Sequence, residues 1–167
     1  VNITRGAQLA IDEANAEGGI NGAQIELLSY DDKGNPEEAV KIASRLVEVD
    51  HVDAVMGSLI SSNMLATGQY FEDNKIFTIG TGLSPTWMEQ GWEYIFRACA
   101  NNGNTMGDLA TKLYDMGVRT AAGLHGQDDA NMSAFLAFQE KAEEIGIEIT
   151  TEEVYVESDN EFAGQIN

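Results

Sequence analysis

The feature that most restricts the fold is an alternation of helix-period and strand-like segments separated by only a few residues. Ile3, Ala7, Ala10, Ile11 and Ala14 recur at helical spacing. Gly18 and Gly19 end that helix, because glycine accepts the left-handed cap conformation. "AQIELLSYDD" predicts a strand. Asn35, Pro36 and Glu38 then supply an N-cap, a first-turn proline and a capping box. Ala39, Ala43, Leu46 and Val47 make the buried stripe of this second helix. "VDAVMG" predicts a short central strand, a third helix follows from near Ser61 or Ser62 to about Asp73, and "KIFTIG" predicts the next strand. The second half continues the pattern. "EYIFRA" is a strand, a helix runs from about Asn104 to Met116 with Gly117 closing it, "RTAAGLH" is a strand, Met132 to Ile145 is a helix, and "IEITTEEVYV" is a strand. Such alternation argues for a parallel sheet with helices on both faces, and short apolar strands suit a sheet covered on both sides. The predicted class is α/β, a three-layer open parallel sheet.

Charge and cysteine content narrow the function classes. The 167 residues carry 28 acids against 9 bases, a net charge of −19. Nucleic acid and anionic membranes call for the opposite sign, so neither is an expected partner. No apolar run approaches the ~20 residues that a bilayer-spanning helix needs. Cys99 is the single cysteine, which excludes an intrachain disulfide and a cysteine-based zinc site. His51 and His125 show no ligand spacing and read as surface or loop histidines, so no metal and no cofactor is expected.

In an open parallel sheet, ligands bind beyond the carboxyl ends of the strands. Two such ends here are rich in glycine and hydroxyls: "GSLISS", Gly57 to Ser62, and "GTGLSP", Gly80 to Pro85. Ser61 or Ser62 at a helix N-terminus offers a hydroxyl and free backbone N–H groups, a seat for a carboxylate. The same serine can equally be a plain helix cap, and "GTGLSP" an ordinary turn. Ser84 is expected to face the same crevice. "QDDAN", Gln127 to Asn131, reads as a solvated loop, with a contact to a ligand from a second lobe as the other reading. Asp31 and Asp32 read as a loop start rather than a catalytic pair, and Trp87 and Trp92 as anchors of an acidic loop. No nucleophile elbow, phosphate loop or dinucleotide fingerprint is present, so an enzyme is not expected.

"GAQLAIDEANAEGGINGAQIELLSYDDKGNPEEAV", followed by "GSLISS", "YFEDNKIFTIGTGLSP" and "GWEYIFRACANN", resembles the branched-chain amino-acid-binding protein family. These are periplasmic-type receptors of the type I fold, in which two α/β lobes close on a small ligand that is passed to an ABC transporter. The resemblance implies a first lobe over residues 1–98, and a hinge crossing with part of a second lobe over 99–167. It implies that Ser61, with nearby backbone N–H groups and Ser62 beside it, holds an α-carboxylate. It further implies that Ser84 and the backbone of Gly82 contact the ligand, and that Asn102 matches a polar residue near the hinge.

The family's first strand and its glycine-rich loop have no counterpart here, and the second lobe stops after about two strands. The chain is therefore expected to be an incomplete portion of its parent, with any leader peptide outside it and with exposed sheet edges that favour self-association. Ala130 and Asn131 stand where many members have an aromatic residue and a glycine, and Gly34 and Ile60 stand where some have a disulfide. The implied function is extracytoplasmic capture of a small zwitterion, an amino acid, for a membrane permease. A ligand-binding domain of a sensory receptor on the same fold is the alternative.

Overall fold

The computed structural model describes residues 2–156 and 158–166 and is α/β throughout. The chain divides into two compact units, residues 1–32 and 33–167.

In the first unit, α1 (Asn2–Ala16) is followed by a tight turn closed by a bridge between Ile20 and Ala23. Asn15 holds the returning chain: its Nδ2 donates to the Ile25 carbonyl at 2.9 Å, and its Oδ1 accepts the Ile25 N–H at 2.7 Å. The expected strand over 23–32 does not form; beyond Ala23 these residues have no ladder partner among the described residues. The side chains are right for a strand, but a strand exists only when a neighbour takes its N–H and C=O groups.

The second unit begins with α2 (Pro36–Glu48). Asn35 Oδ1 caps it, accepting from the N–H groups of Glu37 at 2.8 Å and Glu38 at 3.1 Å. The capping box is only half made, because the Glu38 carboxylate pairs with Lys41 at 2.6 Å instead of reaching back. Next come β1 (Ala54–Met56), α3 (Ser61–Asp73), β2 (Phe77–Gly80), a turn of 3₁₀ helix at Thr86–Met88 and β3 (Ile95–Arg97). The three strands form one parallel sheet in the order β1-β2-β3, with Val55 opposite Thr78 and Ile79 opposite Phe96. One face packs on Ala43, Met64, Phe71 and Trp87, with Ile95 pointing into that core. The opposite face carries exposed Met56, Phe77 and Phe96, the last two with ring centroids 5.2 Å apart. Gly34 and Ile60 lie against each other: a Cβ on Gly34 would stand 3.2 Å from Ile60 Cδ1.

From β3 the chain passes into α4 (Asn102–Asp115), β4 (Thr120–Gly126), α5 (Asp129–Ile145), β5 (Glu148–Tyr155) and a short α6 (Ala163–Ile166). Strands β4 and β5 form a second parallel sheet, with a register shift between Ala121 and Ala122. Its core is Ala110, Ala142 and Ile147, separate from the first. Gly117 at φ +95° and Gly146 at φ +90° take the left-handed conformation that ends α4 and α5. Both helices start earlier than the apolar pattern predicts, because their first turns are set by polar caps. Asn101 accepts from Asn104 N–H, and Asp128 accepts from Asn131 N–H.

His125 corrects the expectation of a surface or loop histidine. It lies in β4, 7% exposed, stacked on Phe135 with centroids 4.5 Å apart. Nδ1 is 2.9 Å from the Gly126 carbonyl and Nε2 3.1 Å from Glu152 on β5. The alternation of β4 turns it inward, toward α5.

Candidate functional site

The loops after β1 and β2 are adjacent because their strands are adjacent, and a hydroxyl beyond the first bonds the backbone of the second. Ser61 is the first residue of α3, not its cap; the cap position is Ile60, which has no side chain to offer. Ser58 Oγ accepts the Ile60 N–H at 3.2 Å. Ser61 Oγ instead reaches across the loops and accepts the Ser84 N–H at 3.1 Å. Ser61 and Ser84 are both fully buried. Gly82 makes the close approach possible: a Cβ there would stand 2.8 Å from Ser61 Oγ and 2.9 Å from Trp87 Nε1. Ser62, half-buried, takes no part in this link.

The carbonyls of the second loop are each taken by a donor. Trp87 Nε1 donates to the Gly82 carbonyl at 3.1 Å. The Leu83 carbonyl accepts from Arg97 Nη1 at 3.0 Å and from the Asn102 N–H at 2.9 Å. Arg97 Nη2 donates to the Ser84 carbonyl. The guanidinium also lies over the Trp87 ring, 4.6 Å from its centroid, and burial pushes its pKa down from the ordinary arginine value. An arginine that starts so high stays charged. Trp87 is fully buried and anchors the loop, as does Trp92, which packs on Gly68 and donates to Gln69 at 3.0 Å.

Two further contacts join this region to α5. Thr86 Oγ1 is 2.9 Å from Ser84 Oγ and donates to Asp129 Oδ2 at 3.0 Å. Asn102 sends Nδ2 to the Ala130 carbonyl at 2.6 Å and to Ser133 Oγ at 2.9 Å, so it ties α4 to α5. "QDDAN" is a helix start and not a solvated loop. Asp128 is the cap and Asp129 the first helical residue. Burial works to raise the Asp128 pKa, but hydrogen bonds from the Asn131 side chain and nearby backbone N–H groups outweigh it and hold it below the ordinary carboxylate value.

Of the residues named from the sequence, the fold brings Ser61, Gly82 and Ser84 into one cluster, leaves Ser62 beside it, and directs the Asn102 amide group onto α5. Sequence reasoning missed Arg97 and Thr86. A signal existed for Thr86, since Ser84-Pro85-Thr86 places two hydroxyls two residues apart at a strand end. For Arg97 there was only its place at the end of β3. Among the described residues no group of histidine, cysteine and acidic side chains could hold a metal ion.

Parallel strands whose polar, glycine-lined ends converge define an α/β class that takes small ligands at the strand ends. Residues 2–167 match the Periplasmic binding protein family, and the chain belongs to it. It is 30% identical over 165 residues to the "Leucine-, isoleucine-, valine-, threonine-, and alanine-binding protein" of Pseudomonas aeruginosa, covering 97% of this chain and 44% of that protein. The branched-chain amino acid transporter substrate-binding protein LivJ of Streptococcus pneumoniae, solved with isoleucine, superposes with a TM-score of 0.87 at 26% identity, over 98% of this chain and 47% of that one. A solute-binding protein of an ABC transporter from R. palustris, solved with benzoate, superposes with a TM-score of 0.88 at 19% identity, over 98% and 46% of the two chains, and shows the shared fold. The chain thus spans less than half the length of the curated relatives it matches. The family is one of extracytoplasmic binding proteins rather than enzymes.

Proposed function

We propose that the full-length protein captures a small zwitterion, an amino acid, outside the cytoplasm and delivers it to the membrane permease of an ABC transporter. The observation that carries this reading is the Ser84 N–H to Ser61 hydroxyl bond at the converging ends of β1 and β2. A serine oxygen that accepts an amide hydrogen keeps its own proton to donate. Ser61 does so at the start of a 13-residue helix, where the first N–H groups have no partner within the helix. Hydroxyl, N–H groups and helix dipole together make a carboxylate seat.

In this reading residues 33–98 form most of a first lobe and 99–167 part of a second. Ser62 and the Gly82 backbone complete the seat, and Asn102 steadies the crossing between lobes. Both serines are buried in this conformation, so a ligand reaches them when the two lobes part. The names of the relatives support the ligand class, since those proteins bind leucine, isoleucine and related amino acids.

Calorimetry of the full-length protein against a panel of amino acids tests the proposal. Ser61→Ala removes a hydrogen bond to a charged group, worth about 1.5–3 kcal/mol, so affinity should fall roughly ten- to a hundredfold with the fold intact. The 167-residue chain alone should bind more weakly than the full-length protein. Full-affinity binding by Ser61→Ala, or no binding of any amino acid by the parent, would overturn the reading.

A further inference from the structure

We propose that the α5–β5 half of this protein reaches its full stability only at an ionic strength of about 1 M, so that the protein is built for a saline medium. The ground for this is where the charge lies. Residues 126–155 carry 8 acids and 1 base, whereas residues 33–98 carry 9 acids and 5 bases. A net charge of −7 thus falls on 30 residues of the one stretch, and −4 on 66 residues of the other. Self-repulsion of that density works against the compact state.

The fold gathers these acids instead of separating them. Glu143 and Glu144 are exposed one helical turn from exposed Glu140 on α5. Residues three and four apart on a helix are neighbours, about 5–6 Å between Cβ atoms, and like charges there repel. Glu143 also shares a groove between α5 and β5 with Glu148 and Glu152, so carboxylates of two elements face the same water. Against them stand Lys141, paired with Glu144 at 2.9 Å, and His125, 3.1 Å from Glu152. The lysine pair lies at the surface, where such pairs weigh little. In the β1–β3 half the acids are spread among bases: Glu38 pairs with Lys41 and Asp50 with Arg45, and the Glu72 carboxylate accepts the N–H groups of Glu93 and Tyr94.

Burial gives α5 and β5 less to set against this repulsion. Their buried cluster is Ala110, Ala142 and Ile147, with Phe135 apart from it against His125. The other half buries Met64, Phe71, Trp87 and Ile95 beside Ala43. Smaller side chains remove less apolar surface from water. The screening length then decides how much salt is needed. At about 0.1 M it is about 10 Å, longer than the spacing of neighbouring carboxylates on a helix, and at about 1 M it falls to about 3 Å, shorter than that spacing. The salt acts by screening and needs no fixed seat; among the described residues no acidic group could hold a metal ion.

Hydrogen exchange of the full-length protein, read separately in the two halves between about 0.05 M and about 1 M sodium chloride, tests this. A few like-charge contacts of ordinary helix-surface size compound to about tenfold, so protection of the α5 and β5 amides should rise about tenfold over that range, and that of β1, β2 and α3 clearly less. Potassium chloride should act as sodium chloride does. Sucrose, which is uncharged and strengthens burial everywhere, should not replace either salt. Combining Glu140→Lys with Glu148→Lys, both at exposed positions, should hold the low-salt protection of α5 and β5 near its high-salt value. Protection that ignores salt, that rises alike in both halves, or that sucrose restores would overturn the proposal. A response to one cation and not the other would show a bound ion in place of screening and overturn it too. So would an unchanged salt dependence in the double variant; if that variant fails to fold, the wild-type titration decides.

Discussion

After β1 and β2 the chain turns through 57–60 and 81–86, and the Ser61 side chain, at the start of α3, bonds the backbone of the second loop. After β4 it turns through Gln127 and Asp128, and the polar side chains bond mainly their own helix, Asp128 capping α5 through Asn131. Both are strand-to-helix corners made of small and polar residues. The first is cross-braced by Trp87, Arg97 and the Asn102 N–H, three groups that each take a carbonyl of the loop. The second reaches across to its neighbours through Asp129, Ala130 and Ser133. A corner braced from several elements has its geometry fixed by the protein itself. A corner capped from within its own helix has only its few cross-contacts to break when it shifts as a unit with that helix.

The sharpest way to break this contrast is to remove the central brace. Trp87→Ala deletes a fully buried ring and the donor to Gly82, and such a truncation costs about 3–5 kcal/mol. Urea denaturation should show that loss, and hydrogen exchange should show 81–86 exposed while the β4–α5 corner keeps its protection. Loss of protection at both corners alike would mean that they are not separately built. A smaller effect is expected from Arg97→Lys. Lysine keeps the charge but not the fork that spans two consecutive carbonyls, nor the stacking on Trp87. Stability should fall by about 1 kcal/mol. Ligand affinity in the full-length protein should fall by about fivefold or more, because the Ser84 amide loses its fixed direction.

The class of fold and the nearness of Ser61 to Ser84 were legible in the sequence because both depend on local pattern. Apolar strands, glycine at strand ends and hydroxyls just beyond them are read residue by residue. What failed depended on neighbours distant in sequence. The segment 23–32 has the side chains of a strand but joins neither of the sheets formed by the described residues. His125 looked like a loop residue because nothing near it in sequence announces Phe135 or Glu152. Ser61 reads in sequence as a cap or a ligand seat, capping being the commonest local use of serine, whereas its hydrogen bond goes 23 residues along the chain. Arg97 and Thr86 entered the site through contacts of the same long-range kind.

The self-capped corner gives the smallest effect and the one most specific to it. Asp128 Oδ1 accepts the Asn131 N–H at 3.1 Å, and its pKa is held below the ordinary carboxylate value. A carboxylate with a lowered folded pKa contributes stability above its unfolded pKa and loses it as pH falls through the folded one. Asp128→Ala should therefore cost about 1 kcal/mol at neutral pH and progressively less in acid. Asp128→Asn keeps a capping oxygen that does not titrate, so it should stay near wild-type stability at neutral pH and lose less of it on acidification. Denaturation at neutral pH and near pH 3, about the lower edge of the carboxylate range, measures both. The exchange protection of Ser61 and Ser84 should be the same in all three proteins, since no atom of Asp128 bonds to the braced corner. A change there would mean that the two corners communicate through α5, with Asp129 and Thr86 as the first contact to examine.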